Sequence, residues 1–156
     1  MKKKYYLCKI KSLEKKFLFY DIYTNIFQEN WSKENFLKFI DLTYIETFLF
    51  YNKNKIPIGI GIFSIACKEV EIIKFGIKND FRKRGIGFFC LKHIINIYKI
   101  KKKENIFLEV STKNTNAINL YLKLGFKKIN IRERYYQNNL GEYEDAFVMK
   151  KIIMSS

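Results

Sequence analysis

Apolar and polar positions along this chain change period repeatedly, and the changes predict short strands interleaved with amphipathic helices. Residues 4–11 alternate well enough for an edge strand, whereas Leu13, Phe17, Leu18, Ile22 and Ile26 recur at helical spacing and predict a helix over residues 12–28. Ser32 is placed to cap a short helix that turns Phe36, Leu37 and Ile40 inward. Strands are predicted over 44–51 and 56–67, joined by the hairpin Asn52-Lys53-Asn54-Lys55, with Pro57 near the start of the second. A further strand spans 69–77, with Ile72, Ile73, Phe75 and Ile77 as its apolar run. Beyond Gly85, the residues Ile86, Phe89, Cys90, Ile94, Ile97 and Tyr98 return to helical spacing and predict a helix over 84–101. Residues 106–110 form a short apolar strand interrupted by Glu109. Asn114 can cap a helix that runs through about residue 124 with Ala117, Leu120, Tyr121 and Leu124 on one face, ended by Gly125. Residues 126–133 and 144–152 supply two closing strands. With no internal repeat, low-complexity tract or Pro/Gly/Ser linker, the elements are expected to pack as a single domain over residues 1–156.

The stretch from residue 79 to 88, Asn-Asp-Phe-Arg-Lys-Arg-Gly-Ile-Gly-Phe, is the most informative local feature. A basic turn with two glycines joins a strand to a helix start, where several backbone N–H groups have no intrahelical partner and the helix dipole favours an anion. Gly85 and Gly87 allow the backbone to approach a phosphate closely. The P-loop pattern fails for want of Gly-x4-Gly-Lys-Ser/Thr, and the dinucleotide fingerprint fails for want of a third glycine and its downstream acid.

Glu109 is the second anomaly. A carboxylate inside an apolar strand is expected to be paired or used, because burying an unpaired charge is costly.

Composition removes several classes. A chain of 156 residues that is 48% hydrophobic suffices for one core, burying roughly 70% of its unfolded surface. No apolar run approaches the roughly 20 residues of a membrane span, and the Met-Lys-Lys-Lys start lacks a secretory h-region, so a cytoplasmic protein is expected. Cys8, Cys67 and Cys90 show neither disulfide nor zinc spacing and are expected to be small buried apolar groups; no metal is implied. His93, the single histidine, has no partner nearby in sequence and is expected to be a surface or half-buried helix residue. The net charge of +15 would ordinarily suggest nucleic acid. The excess is nearly all scattered lysine, enriched together with Asn, Ile, Phe and Tyr, residues whose codons can be built from A and T alone, so nucleic acid is not required as a partner.

These residues also carry a resemblance. Arg82-x-x-Gly85-x-Gly87 resembles the acyl-CoA signature of the GCN5-related N-acetyltransferase (GNAT) superfamily. Leu108-Glu109-Val110, then Asn114, then Ala117-Ile118-x-Leu120-Tyr121-x-x-Leu124-Gly125-Phe126 resembles the C-terminal half of the same signature region. Arg132-x-x-Tyr135-Tyr136 and Gly141-x-x-Glu144-Asp145-Ala146, with a strand ending in Met149, are similar to a narrower group, the bacterial ribosomal-protein-alanine N-acetyltransferases and their relatives among N-terminal acetyltransferases. Trp31-Ser32 before a short helix also matches that group, and the resemblance covers about residues 25–152.

The resemblance implies an α/β (α+β) fold, a GNAT-like mixed and mostly antiparallel central sheet flanked by helices. It implies an acetyl-CoA-dependent transfer, direct and in a ternary complex, to the α-amino group of a protein N-terminus, with the N-terminal alanine of a small-subunit ribosomal protein as the expected acceptor and a monomer as the working form. By their match to the family, Glu109 is the general base and Tyr121 the general acid. Phe75, Gly76 and Ile77 match the pantetheine-pairing strand end, Arg82, Lys83, Arg84, Gly85, Ile86, Gly87 and Phe88 the pyrophosphate turn, and Asn114 a cofactor contact. Trp31, Glu71, Tyr135 and Tyr136 fall on the acceptor side, the two tyrosines on a covering loop, and Glu71 competes for the base role. Plainer roles stand beside these: a structural carboxylate tied to a lysine for Glu109, a core aromatic for Tyr121, a cap for Asn114 and a hydrophobic clasp for the tyrosine pair. The chain departs from the family at Phe88 and Ser111, where arginine is usual, at Lys74 for asparagine, at Gly76 for alanine, and in having no proline before Trp31. Acetylation of a lysine or a small amine, and a non-catalytic acyl-CoA-binding or ribosome-associated module, are the alternatives.

Overall fold

In the computed structural model, which describes residues 5–29, 31–137 and 141–153, the elements run β1 (Tyr5–Lys9), α1 (Leu13–Phe27), α2 (Lys33–Ile40), β2 (Ile45–Asn52), β3 (Pro57–Ala66), β4 (Glu69–Ile77), α3 (Ile86–Ile100), β5 (Asn105–Ser111), α4 (Thr115–Lys123), β6 (Lys127–Gln137) and β7 (Tyr143–Ile152). The strands form a seven-stranded sheet in the order β1-β2-β3-β4-β5-β7-β6. Pairing is antiparallel for β1 with β2, β2 with β3, β5 with β7 and β6 with β7, and parallel for β4 with β5. The chain divides into two compact units, Met1–Ile65 with Ile73–His93, and Ala66–Ile72 with Ile94–Ser156.

Within the first unit, α1 and α2 begin by the same device. Ser12 and Ser32 are extended, and their side-chain oxygens accept the amides of Lys15 and Asn35, satisfying donors that the first helical turn leaves open. Phe19, Ile22 and Tyr23 of α1 and Phe36 and Ile40 of α2 bury against Ile45, Leu49, Ile60 and Ile62 of β2 and β3. Trp31 contacts both helices: its carbonyl accepts the Tyr20 hydroxyl at 2.8 Å, and its ring lies 5.6 Å from Phe36 and 5.0 Å from Phe39. The buried Tyr23 hydroxyl donates to Glu29, which also pairs with Lys74. Because α2 is short, its cap matters: Ser32→Ala is expected to destabilise the chain by about 1 kcal/mol, read as a lower urea midpoint at unchanged slope.

In the second unit, β5 buries Ile106, Leu108 and Val110 and leaves Phe107, Glu109 and Ser111 partly buried, a period of two. The carboxylate of Glu109 is therefore on the less buried face rather than in the core. Helix α4 is capped by Asn114, whose Oδ1 accepts the Ala117 amide at 3.2 Å, and is followed by Gly125 at φ 84. Its buried residues are Ile118 and Tyr121, with Leu124 just beyond, while Ala117 and Leu120 are only half-buried. The expected face is thus rotated by a fraction of a turn.

Most predicted boundaries agree within two residues. Strand β6 is the main difference. It runs to Gln137 instead of 133, across a register shift between Arg132 and Tyr136, so Tyr135 and Tyr136 belong to a strand and not to a loop. Cys90 is buried, Cys8 is half-buried, and Cys67 is exposed at a turn with φ 44, which corrects the expectation that all three lie inside. Among the described residues, no helix is long and apolar enough to cross a membrane, and no group of His, Cys, Asp or Glu is arranged to hold a metal ion.

Candidate active site

The glycine turn lies in the first unit and is built by the end of β4. A single 3-10 turn over Asn79–Phe81 reverses the chain, and Arg82 is tied back by its Nε, which donates to the Ile77 carbonyl at 2.7 Å. Lys83 and Gly85 both adopt left-handed backbone, at φ 59 and 72, a conformation that favours glycine at residue 85. The Phe89 amide donates to the Gly85 carbonyl at 3.1 Å, so Gly85 stands at the cap of α3. Having no side chain, it cannot cap, and the amides of Ile86, Gly87 and Phe88 lack intrahelical acceptors. A Cβ built on Gly85 would meet nothing within 4 Å: the space beside the turn is open.

Lys83 and Arg84 are exposed here and Ile86 is buried, which fixes the helix and leaves the cations free to face an anion. Phe88 is exposed, and the Lys92 ammonium lies 5.8 Å from its ring centre, so a cation stands one helical turn beyond the position of the missing arginine. On β4, Phe75 packs on Phe50 at 5.5 Å. Gly76 is glycine for a packing reason: a Cβ there would come within 2.6 Å of Ile26 and 2.9 Å of Phe27. The parallel ladder to β5 runs from Glu69↔Asn105 to Ile72↔Leu108 and its register ends there, before Phe75, Gly76 and Ile77.

The second unit holds the titratable residues. Arg132 Nη1 lies 2.9 Å from Glu109 Oε1, with the Glu109 side chain only 15% exposed. The same carboxylate is the first cause, ahead of burial, of a Tyr135 phenol raised above its ordinary range. The Arg132 guanidinium also lies 5.1 Å from the Tyr135 ring centre. Tyr136 packs edge-on against Tyr135 at 5.0 Å, and its hydroxyl donates to the Glu109 carbonyl at 3.3 Å. Tyr121 is buried beside Phe126, and burial, with a smaller contribution from Tyr136, pushes its phenol well above the usual tyrosine range. Glu109, Tyr121, Tyr135 and Tyr136 are thereby brought into one connected group.

Other predicted positions have their own settings. Glu71 is exposed on β4, opposite Phe107 in the register. Trp31 serves the packing of α1 and α2. Asn114 spends its carbonyl oxygen on the cap and keeps its amide N–H2 for any other partner. His93 is exposed and stacks with Phe89 at 6.4 Å. Cys90, the one cysteine on the helix after the turn, has its thiol pushed up to about 12 by burial and carries no thiolate near neutral pH. Sequence reasoning missed the Arg132 pairing with Glu109, expecting a lysine if any cation. It also missed Glu144, whose Oε2 accepts the Ser111 hydroxyl at 2.6 Å and whose Oε1 pairs with Lys113 at 3.1 Å. Both residues stood inside motifs already noticed, but nothing in their spacing says which acid meets which base.

The family model described as the acetyltransferase (GNAT) family matches residues 17–126. Ribosomal protein bS18-alanine N-acetyltransferase of Salmonella typhimurium is 34% identical over 89 residues, 57% of this chain and 60% of that protein. An N-alpha-acetyltransferase of Sulfurisphaera tokodaii is 34% identical over 83 residues, 53% of this chain and 47% of its own. The chain thus spans about half to three fifths of these relatives' length. In fold, it matches the solved ribosomal-protein-S18-alanine N-acetyltransferase from Escherichia coli with a TM-score of 0.86 at 24% identity, over 97% of this chain and 96% of the other. Spermidine N-acetyltransferase from Vibrio cholerae, solved with CoA and spermine, matches with a TM-score of 0.82 at 17% identity over 96% of each chain.

Proposed function

Because this chain belongs to the acetyltransferase (GNAT) family, we propose that it transfers the acetyl group of acetyl-CoA to the α-amino group of a protein N-terminus, as one domain over residues 1–156. The observation that carries this reading is the group of Glu109, Tyr121, Tyr135 and Tyr136 in the second unit, with Tyr136 bonded to Glu109 and electrostatically coupled to Tyr121. The names of two relatives, one a ribosomal protein bS18-alanine and one an N-alpha-acetyltransferase, support an N-terminal acceptor, and the first of them the alanine of a small-subunit ribosomal protein.

Acetyl-CoA supplies an activated acetyl thioester. The turn fits its diphosphate: open space beside Gly85, uncapped amides at Ile86, Gly87 and Phe88, and exposed Lys83 and Arg84. Phe75, Gly76 and Ile77 offer main-chain groups to the pantetheine arm, in the manner of a strand receiving another at its edge. A peptide α-amine, with an ordinary pKa of about 8, arrives largely protonated; Glu109 takes the first proton directly or through one water, and as the C–N bond forms and the C–S bond breaks the second N–H proton passes to the departing CoA thiolate. Tyr121, raised by burial, keeps its proton throughout the neutral range. A thiol near 8.5 is a stronger acid than a phenol near 10, so Tyr121 acts on the departing sulfur mainly as a hydrogen-bond donor. Transfer is direct, in a ternary complex, and Cys90, the cysteine on the helix after the turn, is buried as a core residue rather than presented as a nucleophile. The working species is a monomer in the cytoplasm that requires neither metal, membrane nor nucleic acid.

The test is CoA release from acetyl-CoA by the purified protein, with peptides beginning in alanine, the same peptides blocked at the N-terminus, peptides whose one amine is a lysine, and spermidine. Release with the free N-terminal peptides alone is expected. Release only with lysine or spermidine overturns the acceptor, and release with none overturns the activity.

A further inference from the structure

Residues 132 and 135 are an odd number of positions apart, so an unbroken strand would turn their side chains to opposite faces. Both nevertheless face Glu109: Arg132 Nη1 lies 2.9 Å from its Oε1, and Tyr135, whose ring centre lies 5.1 Å from the Arg132 guanidinium, has Glu109 as the first cause of its raised phenol. The cause is an irregularity in the ladder between β6 and β7. Arg132 pairs with Ala146 and Tyr136 with Glu144, so residues 133–135 stand opposite Asp145 alone. Such a bulge bends the strand and re-aims the side chains that flank it.

Asp145 is the residue opposite the bulge. At its apex Arg134 takes left-handed backbone, φ 52, an uncommon conformation for a side chain of its size. The Arg134 amide donates to Asp145 Oδ1 at 2.9 Å, and its guanidinium lies 4.6 Å from the Tyr143 ring centre. The Asp145 carbonyl in turn accepts the Thr112 amide at 2.9 Å, directly after the strand that carries Glu109. One exposed residue thus links the apex of the bulge to the end of β5.

We propose that Asp145 is a positioning residue for the base: through the bulge it pins, it brings Arg132 and Tyr135 together onto the Glu109 carboxylate and fixes the orientation in which that group accepts a proton. The inference rests on the reading of Glu109 as the base. A carboxylate has about four acceptor positions, so a guanidinium and a phenol can hold its plane while leaving room for a third donor. That third donor is the acceptor amine or its water.

Asp145→Ala and Asp145→Asn separate positioning from mere structure, because asparagine keeps an oxygen for the Arg134 amide and alanine does not. Two measurements are made on each full-length protein: the titration of Tyr135 by NMR of ring-labelled tyrosine, assigned with Tyr135→Phe, and steady-state acetyl transfer. In the unmodified protein and in Asp145→Asn, Tyr135 is expected to titrate above its ordinary range, since Glu109 faces its hydroxyl, with Arg132 beside it acting weakly in the opposite sense. In Asp145→Ala the titration is expected to fall back toward the ordinary phenol range. In the same variant kcat falls about tenfold to a hundredfold, with the KM for acetyl-CoA unchanged, and asparagine restores it. An unshifted Tyr135 in Asp145→Ala, or an equal loss of kcat in both variants, overturns the proposal. The titration needs no turnover, so it decides the link from Asp145 to Tyr135 by itself, whereas absence of transfer in the unmodified protein overturns the functional reading instead.

Discussion

Glu109→Gln is expected to lower kcat by about 10²- to 10³-fold while leaving the KM for acetyl-CoA near its original value. Glutamine keeps the size of the side chain and can still accept from Arg132 and Tyr135, but it cannot take a proton from an ammonium group. The ion pair that is lost is half-exposed on its arginine side, and such pairs contribute about 0–1 kcal/mol. The urea midpoint should therefore move little, which separates lost chemistry from lost structure. Glu71→Gln is the matched control. Glu71 is exposed on β4, and its variant is expected to keep kcat. An unimpaired Glu109→Gln together with an impaired Glu71→Gln would transfer the base role to the other strand.

Gly59→Ala is expected to be the most damaging single methyl group in the first unit. A Cβ at residue 59 would lie 2.5 Å from the Gly76 carbonyl oxygen and 2.8 Å from Ile77 Cδ1. The first of these is backbone and cannot swing aside. Gly76 is itself closely packed, since a Cβ on it would lie 2.6 Å from Ile26 and 2.9 Å from Phe27 of α1. Overpacking of this kind costs about 1–3 kcal/mol, and in a chain of this size each kcal/mol lowers Tm by about 2–4 °C. Since the strain falls on the end of β4, the KM for acetyl-CoA should rise as well. Gly61→Ala is the comparison: its Cβ would meet the rings of Phe63 and Phe50, which can turn, so a smaller loss of Tm is expected. Equal losses in the two variants would show that residue 76 yields after all.

The order of strands and helices was legible because it follows from period alone: Ile106, Leu108 and Val110 alternate, Ile86 to Tyr98 recur in steps of three and four, and serine, asparagine and glycine mark the helix ends chemically. The turn at Gly85 was legible for the same reason, being a local consequence of a strand, a left-handed residue and a helix start. Pairings across the sheet were not. That Arg132 rather than a lysine meets Glu109 follows from the register of β5, β7 and β6, and Tyr135 stands in the bulge opposite Asp145, eleven positions downstream of Arg134 on another strand. Tyr135 and Tyr136 looked like loop residues because polar Glu133 and Arg134 broke the alternation of β6, and that break is the bulge itself. Trp31 matched a family position, yet its contacts with Tyr20, Phe36 and Phe39 are those of a packing residue.

Strand β7 follows β6 in the chain but lies between β6 and β5, pairing with both along their length. On a ribosome, where domains form as the chain emerges, β5, α4 and β6 leave the exit tunnel without the strand that joins them. The second unit can close only when residues up to Ile152 are free, so Glu109 and Arg132 acquire their common setting in one late step. Until then the nascent chain holds the glycine turn of the first unit and lacks the ion pair between Glu109 and Arg132.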